Sequence, residues 1–141
     1  MNLKTAFAFN IAMGEIGVKE VNGTGNNPRV LEYHQATSLK ASDDETSWCS
    51  SFMNFCFLRA GLKGSGRADA KSWLTIGIEV TEPELGDVVI LWRGSPDSWM
   101  GHVGFYAGRD GDNIILLGGN QGDRVCYQSF PKSRLIGYRR V

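Results

Sequence analysis

The apolar positions of this chain change their spacing halfway along it. From about residue 3 to 16, Phe9, Ala12, Met13 and Ile16 recur at three- and four-residue intervals, the period of an amphipathic helix. Residues 21–28, dense in Asn and Gly, predict a loop, and Pro28 fits the first turn of a second helix carrying Val30, Leu31 and Tyr33. The polar run 43–47 supplies N-cap candidates for a third helix, from Trp48 to about Ala60, which Gly61 is suited to end. Further on the pattern shortens. Residues 88–92 are a continuous apolar run behind Pro83 and Gly86. Residues 103–107 follow a Gly-Ser-Pro loop, and 109–112 predict a hairpin turn into 114–117. Residues 124–128 and 135–140 complete the strands. Helices first and strands second predict an α+β fold, N-terminal helices packed on one face of a largely antiparallel C-terminal sheet.

Length and composition add limits to this picture. The 141 residues, 42% hydrophobic and 21% charged, suit one globular domain, 1–141, with its own core. Fifteen basic residues balance fifteen acidic ones, so the basic excess that nucleic-acid binding demands is missing. No apolar run approaches the roughly 20 residues needed to span a bilayer. Lys4 precedes the apolar residues 6–9, but Asn10 interrupts them and no small-residue cleavage site follows, so a first helix is expected rather than a leader. Three cysteines cannot pair completely and form no C-x-x-C, which argues against a disulfide framework or a structural zinc site and for maturation in a reducing cytosol.

Free cysteines are most often small buried hydrophobes, and Cys56 and Cys126 read that way. Cys49 differs by position. It falls in the first turn of the third helix, where unpaired N–H groups and the positive end of the dipole favour a thiolate. A nucleophile needs a base, and there are two histidines. His34 sits on the second helix and is as easily structural. His102 opens a strand between Gly101 and Val103-Gly104, sharing a face with Gly104 and Tyr106 while Val103 and Phe105 share the other. The next strand ends in Gly118-Gly119-Asn120-Gln121-Gly122. Asn120 can accept a hydrogen bond from the ring and fix its orientation, and Gln121 competes for the same role.

Four stretches, Trp48-Cys49-Ser50-Ser51-Phe52, Pro83-Glu84-Leu85-Gly86-Asp87-Val88-Val89, Gly101-His102-Val103-Gly104-Phe105 and Gly118-Gly119-Asn120-Gln121, resemble the CHAP and NlpC/P60 cysteine peptidases, in particular small peptidoglycan hydrolases of phage and bacterial origin. The likeness runs from about Gly14 to Val141. It implies a papain-like α+β core, no cofactor, and hydrolysis of amide bonds in murein, with Cys49 as nucleophile, His102 as base and Asn120 as the orienting group. One departure stands out. CHAP members often carry a glutamate two positions before the asparagine, where this chain has Gly118.

Of the remaining residues, Asp43, Asp44 and Glu45 suit a solvated cap loop better than a calcium site, since the EF-hand pattern is absent. Trp48, Trp99 and Gln121 are candidates for substrate contact. Trp99, in the polar loop 95–100, is placed to stack on a sugar or peptide. The basic end, Lys132, Arg134, Arg139 and Arg140, is either a solvated surface or an attraction to the anionic wall. The expected function is a murein hydrolase working through a thioester. A stem or cross-bridge endopeptidase is favoured over an N-acetylmuramoyl-L-alanine amidase, because the short loops leave little room for a glycan wall. An acyltransferase of transglutaminase type and a non-catalytic wall-binding module are the competing classes. The expected partner is bacterial peptidoglycan, acted on by a monomer that does not insert in membranes. Such an enzyme would be made in the cytoplasm and reach the periplasm through a holin or a secretion machine.

Overall fold

The structure, a computed structural model, describes residues 3–21, 26–39 and 47–141. Helix α1 (Leu3–Gly14) turns Thr5, Ala8, Phe9 and Ala12 inward. Its stripe therefore starts one turn earlier than the spacing predicted, and Met13 and Ile16 are exposed. Helix α2 (Pro28–His34) begins as its sequence demands. The Asn27 side chain accepts from the Arg29 N–H at 2.8 Å, and Pro28 occupies the first turn, where no N–H is needed.

Helix α3 (Cys49–Arg59) is buried on all sides from Cys49 to Phe57. Its polar residues are tied to the segments that cover it. The Ser50 hydroxyl donates to the Arg67 carbonyl at 2.6 Å and accepts from the Trp73 indole N–H at 2.8 Å. Ser51 meets His34 at 2.9 Å, and Asn54 binds the backbone of Gly66 and Arg67. A helix enclosed by protein survives with polar residues only when each finds such a partner. Gly61, at φ +76°, ends it in the left-handed conformation that favours glycine.

Six antiparallel strands follow: β1 (Ile78–Val80), β2 (Val88–Trp92), β3 (Gly101–Asp110), β4 (Asn113–Gly118), β5 (Cys126–Pro131) and β6 (Leu135–Arg140), ordered β1-β6-β2-β3-β4-β5. The hairpin forms where predicted, Asp110 pairing with Asn113 across Gly111-Asp112. The strand expected at 124–128 starts at Cys126, because residues 121–124 close a turn in which the Gln121 N–H donates to the Arg124 carbonyl. The short 3-10 helix Ala70–Thr75 and strand β1 were not predicted. Neither is long enough to carry a readable period.

Alternation along β3 splits its side chains as expected. Val103 and Phe105 join the core under the helices, where Phe105 meets Phe9 and Phe57. Full burial of such a ring contributes about 1.5–3 kcal/mol. His102 instead packs against Phe130, ring centroids 5.0 Å apart. Asp87, from the Gly86-Asp87 motif, is structural. Its carboxylate accepts from the Glu84 N–H at 2.7 Å and from Arg140 at 3.0 and 2.7 Å, locking the entry of β2 to the end of β6.

Candidate active site

Cys49 is the first residue of α3 and only 3% exposed. Burial pushes its thiol up. The hydrogen bond and charge of His102, helped by a backbone hydrogen bond at Val103 and by the Ser47 hydroxyl, outweigh that and bring the pKa below the ordinary 9.0.

The far side of the imidazole meets Gln121. His102 Nε2 lies 2.9 Å from Gln121 Oε1, and Gln121 Nε2 donates to the carbonyls of Leu116 at 3.2 Å and Cys126 at 2.7 Å. Carbonyls only accept, so the amide nitrogen must face them and the amide oxygen must face the ring. The ring therefore keeps a proton on Nε2, which leaves Nδ1 as the nitrogen able to exchange a proton with the thiol. Asn120 does not take this place. It stands in the left-handed region at φ 57° and points its amide at Ser47 Oγ, 3.4 Å away. The expected contact between Asn120 and the ring is thus corrected to Gln121.

The glycines around this turn explain the change. A Cβ on Gly118 would lie 2.6 Å from Gln121 Oε1. A glutamate at 118 and the observed Gln121 rotamer exclude each other, so the departure at Gly118 and the position of Gln121 are one structural fact. A Cβ on Gly119 would lie 2.7 Å from the Trp48 ring and 2.8 Å from Phe52 Cβ, so only glycine lets the turn pack against the start of α3.

The other predicted site residues divide. Trp48 is fully buried, stacked near Tyr33 at 5.8 Å and donating to Glu20 Oε1 at 2.6 Å, so it holds the helix start instead of meeting a substrate. Gln121 is likewise buried behind the ring. Trp99 is 76% exposed and lines a groove of about 550 Å³ with Ser38, Leu39, Ser47, Arg67, Ala68 and Asp69. Cys49 and His102 do not line this groove; Ser47, whose hydroxyl bonds the Cys49 thiol, is the residue at which groove and thiol adjoin. His34 is buried against Ser51, a structural position. Cys126, half-buried, packs behind Gln121. The basic end is largely spent on the fold: Arg140 on Asp87, Arg139 on the Ile76 and Gly77 carbonyls, Arg134 on the Trp92 carbonyl. Asp43, Asp44 and Glu45 lie outside the described residues. Among those described, no group of His, Cys, Asp and Glu has the makings of a metal site, and no helix is long and apolar enough to cross a membrane.

Sequence reasoning missed Ser47, Arg67 and Asp69. They stand in stretches without periodicity, and only the packing of those stretches on α3 brings them to the groove.

The family model of the CHAP domain matches residues 41–120. No curated protein matches. Among solved structures, a protein similar to lipoproteins of the NLP/P60 family from Staphylococcus aureus superposes with a TM-score of 0.61 at 19% identity, covering 100% of this chain and 42% of that one. The P60 domain of a Mycobacterium avium subspecies paratuberculosis antigen gives 0.62 at 16% identity, covering 97% of this chain and 93% of that one. RipD from Mycobacterium tuberculosis, a non-catalytic NlpC/p60 domain protein adapted to peptidoglycan binding, gives 0.56 at 17% identity and covers 100% and 99%. The chain thus spans less than half of the staphylococcal protein and nearly all of the two mycobacterial ones.

Proposed function

The chain belongs to the CHAP domain family, and from that premise we propose that it is a peptidoglycan hydrolase that cleaves an amide bond through a cysteine thioester. The observation that carries this reading is the line Cys49–His102–Gln121: a thiol lowered by its histidine, and a histidine whose tautomer is set by a braced amide. That line also favours an enzyme over a wall-binding module of the kind RipD represents.

In this reading the Cys49 thiolate attacks the scissile carbonyl carbon. The protonated His102 gives its proton to the departing amine as the C–N bond breaks, leaving an acyl thioester. Water, deprotonated by His102, then attacks the thioester, and the acid leaves as the thiol is restored. Gln121 is a positioning residue. An endopeptidase is favoured over a muramoyl-alanine amidase because the groove wall joins apolar Leu39, Ala68 and Trp99 to the Arg67–Asp69 ion pair, 2.8 Å apart. Stem peptides alternate small apolar and charged residues, whereas a glycan strand offers few charges.

Digestion of purified sacculi followed by mass spectrometry tests this. Muropeptides released with shortened or un-crosslinked peptides still on the sugar are expected. Intact free stem peptides beside naked glycan would make the protein an amidase, and sacculi left undigested would overturn the hydrolase reading.

A further inference from the structure

The two walls of the groove are braced in different ways, and the second brace has no part in the chemistry above. The wall carrying Arg67 and Asp69 is pinned to α3, since Ser50 and Asn54 both donate to the Arg67 carbonyl. The wall carrying Trp99 belongs to the loop between β2 and β3, the only covalent support of an indole that is 76% exposed. That loop is ordered from within by Gly94 at φ +81°, by the Ser98 N–H on the Ser95 carbonyl and by the Met100 N–H on Ser98 Oγ at 3.1 Å. From outside, among the described residues, it is gripped by the ammonium of Lys71. Lys71 Nζ, on the 3-10 helix just after Asp69, donates to the Pro96 carbonyl at 3.1 Å and to the Ser98 carbonyl.

Gly101 packs beside the stem of this lysine. A Cβ there would lie 2.8 Å from the Leu91 carbonyl oxygen, 3.3 Å from Lys71 Cγ and 3.5 Å from Ala70 Cβ. The glycine before His102 thus leaves room for the Leu91 carbonyl first and for the lysine stem second. A lysine spending two of its three donors on carbonyls of one loop holds that loop at a fixed distance from the segment bearing Arg67 and Asp69.

We infer that Lys71 is a positioning residue that clasps the Trp99 loop across the groove, and that Trp99 so held is the specificity-determining wall for the peptide portion of the substrate. The clasp rests on geometry alone, and the identity of the substrate rests on the hydrolase reading above. An exposed indole offers a rigid apolar face at small entropic cost, provided its loop is already fixed. Without the clasp the loop must be ordered on binding, which weakens association and leaves the bond-breaking groups untouched.

The test uses the full chain as wild type, Lys71→Met, Lys71→Arg and Trp99→Ala. Hydrogen exchange read by mass spectrometry over residues 94–100 needs no substrate. At least tenfold faster exchange is expected in Lys71→Met, with protection largely regained in Lys71→Arg, whose guanidinium can span the same carbonyls. On a soluble cross-linked muropeptide, Lys71→Met and Trp99→Ala should each raise KM about tenfold with kcat within about twofold, and the double variant should be no worse than Trp99→Ala alone. Unchanged exchange in Lys71→Met overturns the clasp whatever the substrate proves to be. Unchanged KM in Trp99→Ala, with the wild type active, overturns the role of the indole. Loss of kcat in either variant would make the loop part of the chemistry and equally overturn the inference. A wild type inert on peptidoglycan overturns the hydrolase reading and with it the substrate half of this one, while the exchange measurement still decides the clasp.

Discussion

Two cysteines two turns apart on one helix have opposite fates. Cys49 and Cys56 are both buried in α3, 3% and 0% exposed. Burial pushes both thiols up, because a thiolate loses its hydration in the interior. At Cys56 the nearby Glu15 carboxylate adds to that, against the weaker pull of Arg29 and Arg59, and the thiol ends well above its usual range. At Cys49 the end of the helix meets β3 and the 118–122 turn, and His102 reverses the direction. Desolvation alone therefore does not activate a cysteine here. His102 supplies the lowering, and Gln121 holds the ring from its far side.

The largest break in this comparison is removal of the thiols themselves. Cys49→Ala should lower hydrolysis of sacculi by about 10³-fold or more, as loss of a nucleophile does, with the melting temperature nearly kept. Cys56→Ala should keep the activity and cost roughly 1–2 kcal/mol of stability in urea melts, the price of a small core truncation. The next break removes the histidine. His102→Ala leaves Cys49 with its burial but without the hydrogen bond and charge that lower it, so its alkylation midpoint should move upward and activity should fall nearly as far as in Cys49→Ala.

A smaller effect sharpens the choice between neighbours. Gln121→Ala should cost about 10²-fold in kcat, in the range of misplaced acid–base catalysis, and shift the Cys49 alkylation profile. Asn120→Ala, which loses a long contact to Ser47, should stay within about threefold of wild type. The reverse order of the two would return the positioning role to Asn120.

The smallest effect lies beside Cys56. Glu15 is pushed up by burial, yet its bonds with Arg29 at 2.6 Å and Tyr33 at 2.7 Å bring its pKa below the ordinary 4.5. A carboxyl lowered on folding contributes stability that is present above 4.5 and lost as the pH falls through the folded value. Glu15→Gln should cost about 1–2 kcal/mol at pH 7 and flatten the loss of stability below pH 4.5 in urea titrations.

How far the sequence reveals this site depends on whether a residue's role is local. Cys49 at a helix start, His102 at a strand start and the two-residue hairpin at Gly111-Asp112 are set by near neighbours in the chain, and each is where the pattern puts it. The choice between Asn120 and Gln121 is not local. It turns on the side-chain space above Gly118 and on carbonyls at Leu116 and Cys126, which the turn brings together only in three dimensions. The glycine standing where relatives often carry glutamate was the available signal. The burial of Trp48, the groove around Arg67 and the use of Arg140 on Asp87 have the same origin, since each depends on segments far apart in the chain.

The proposed mechanism rests on His102, not burial or helix position, making Cys49 reactive. Its most direct test is the rate of iodoacetamide alkylation of each cysteine against pH, read by peptide mass spectrometry in wild type and His102→Ala. The Cys49 midpoint should lie below 9.0 in the wild type and higher in His102→Ala, with Cys56 unmodified in the folded protein of both. A Cys49 midpoint at or above 9.0 in the wild type, or one that His102→Ala leaves unmoved, would contradict it.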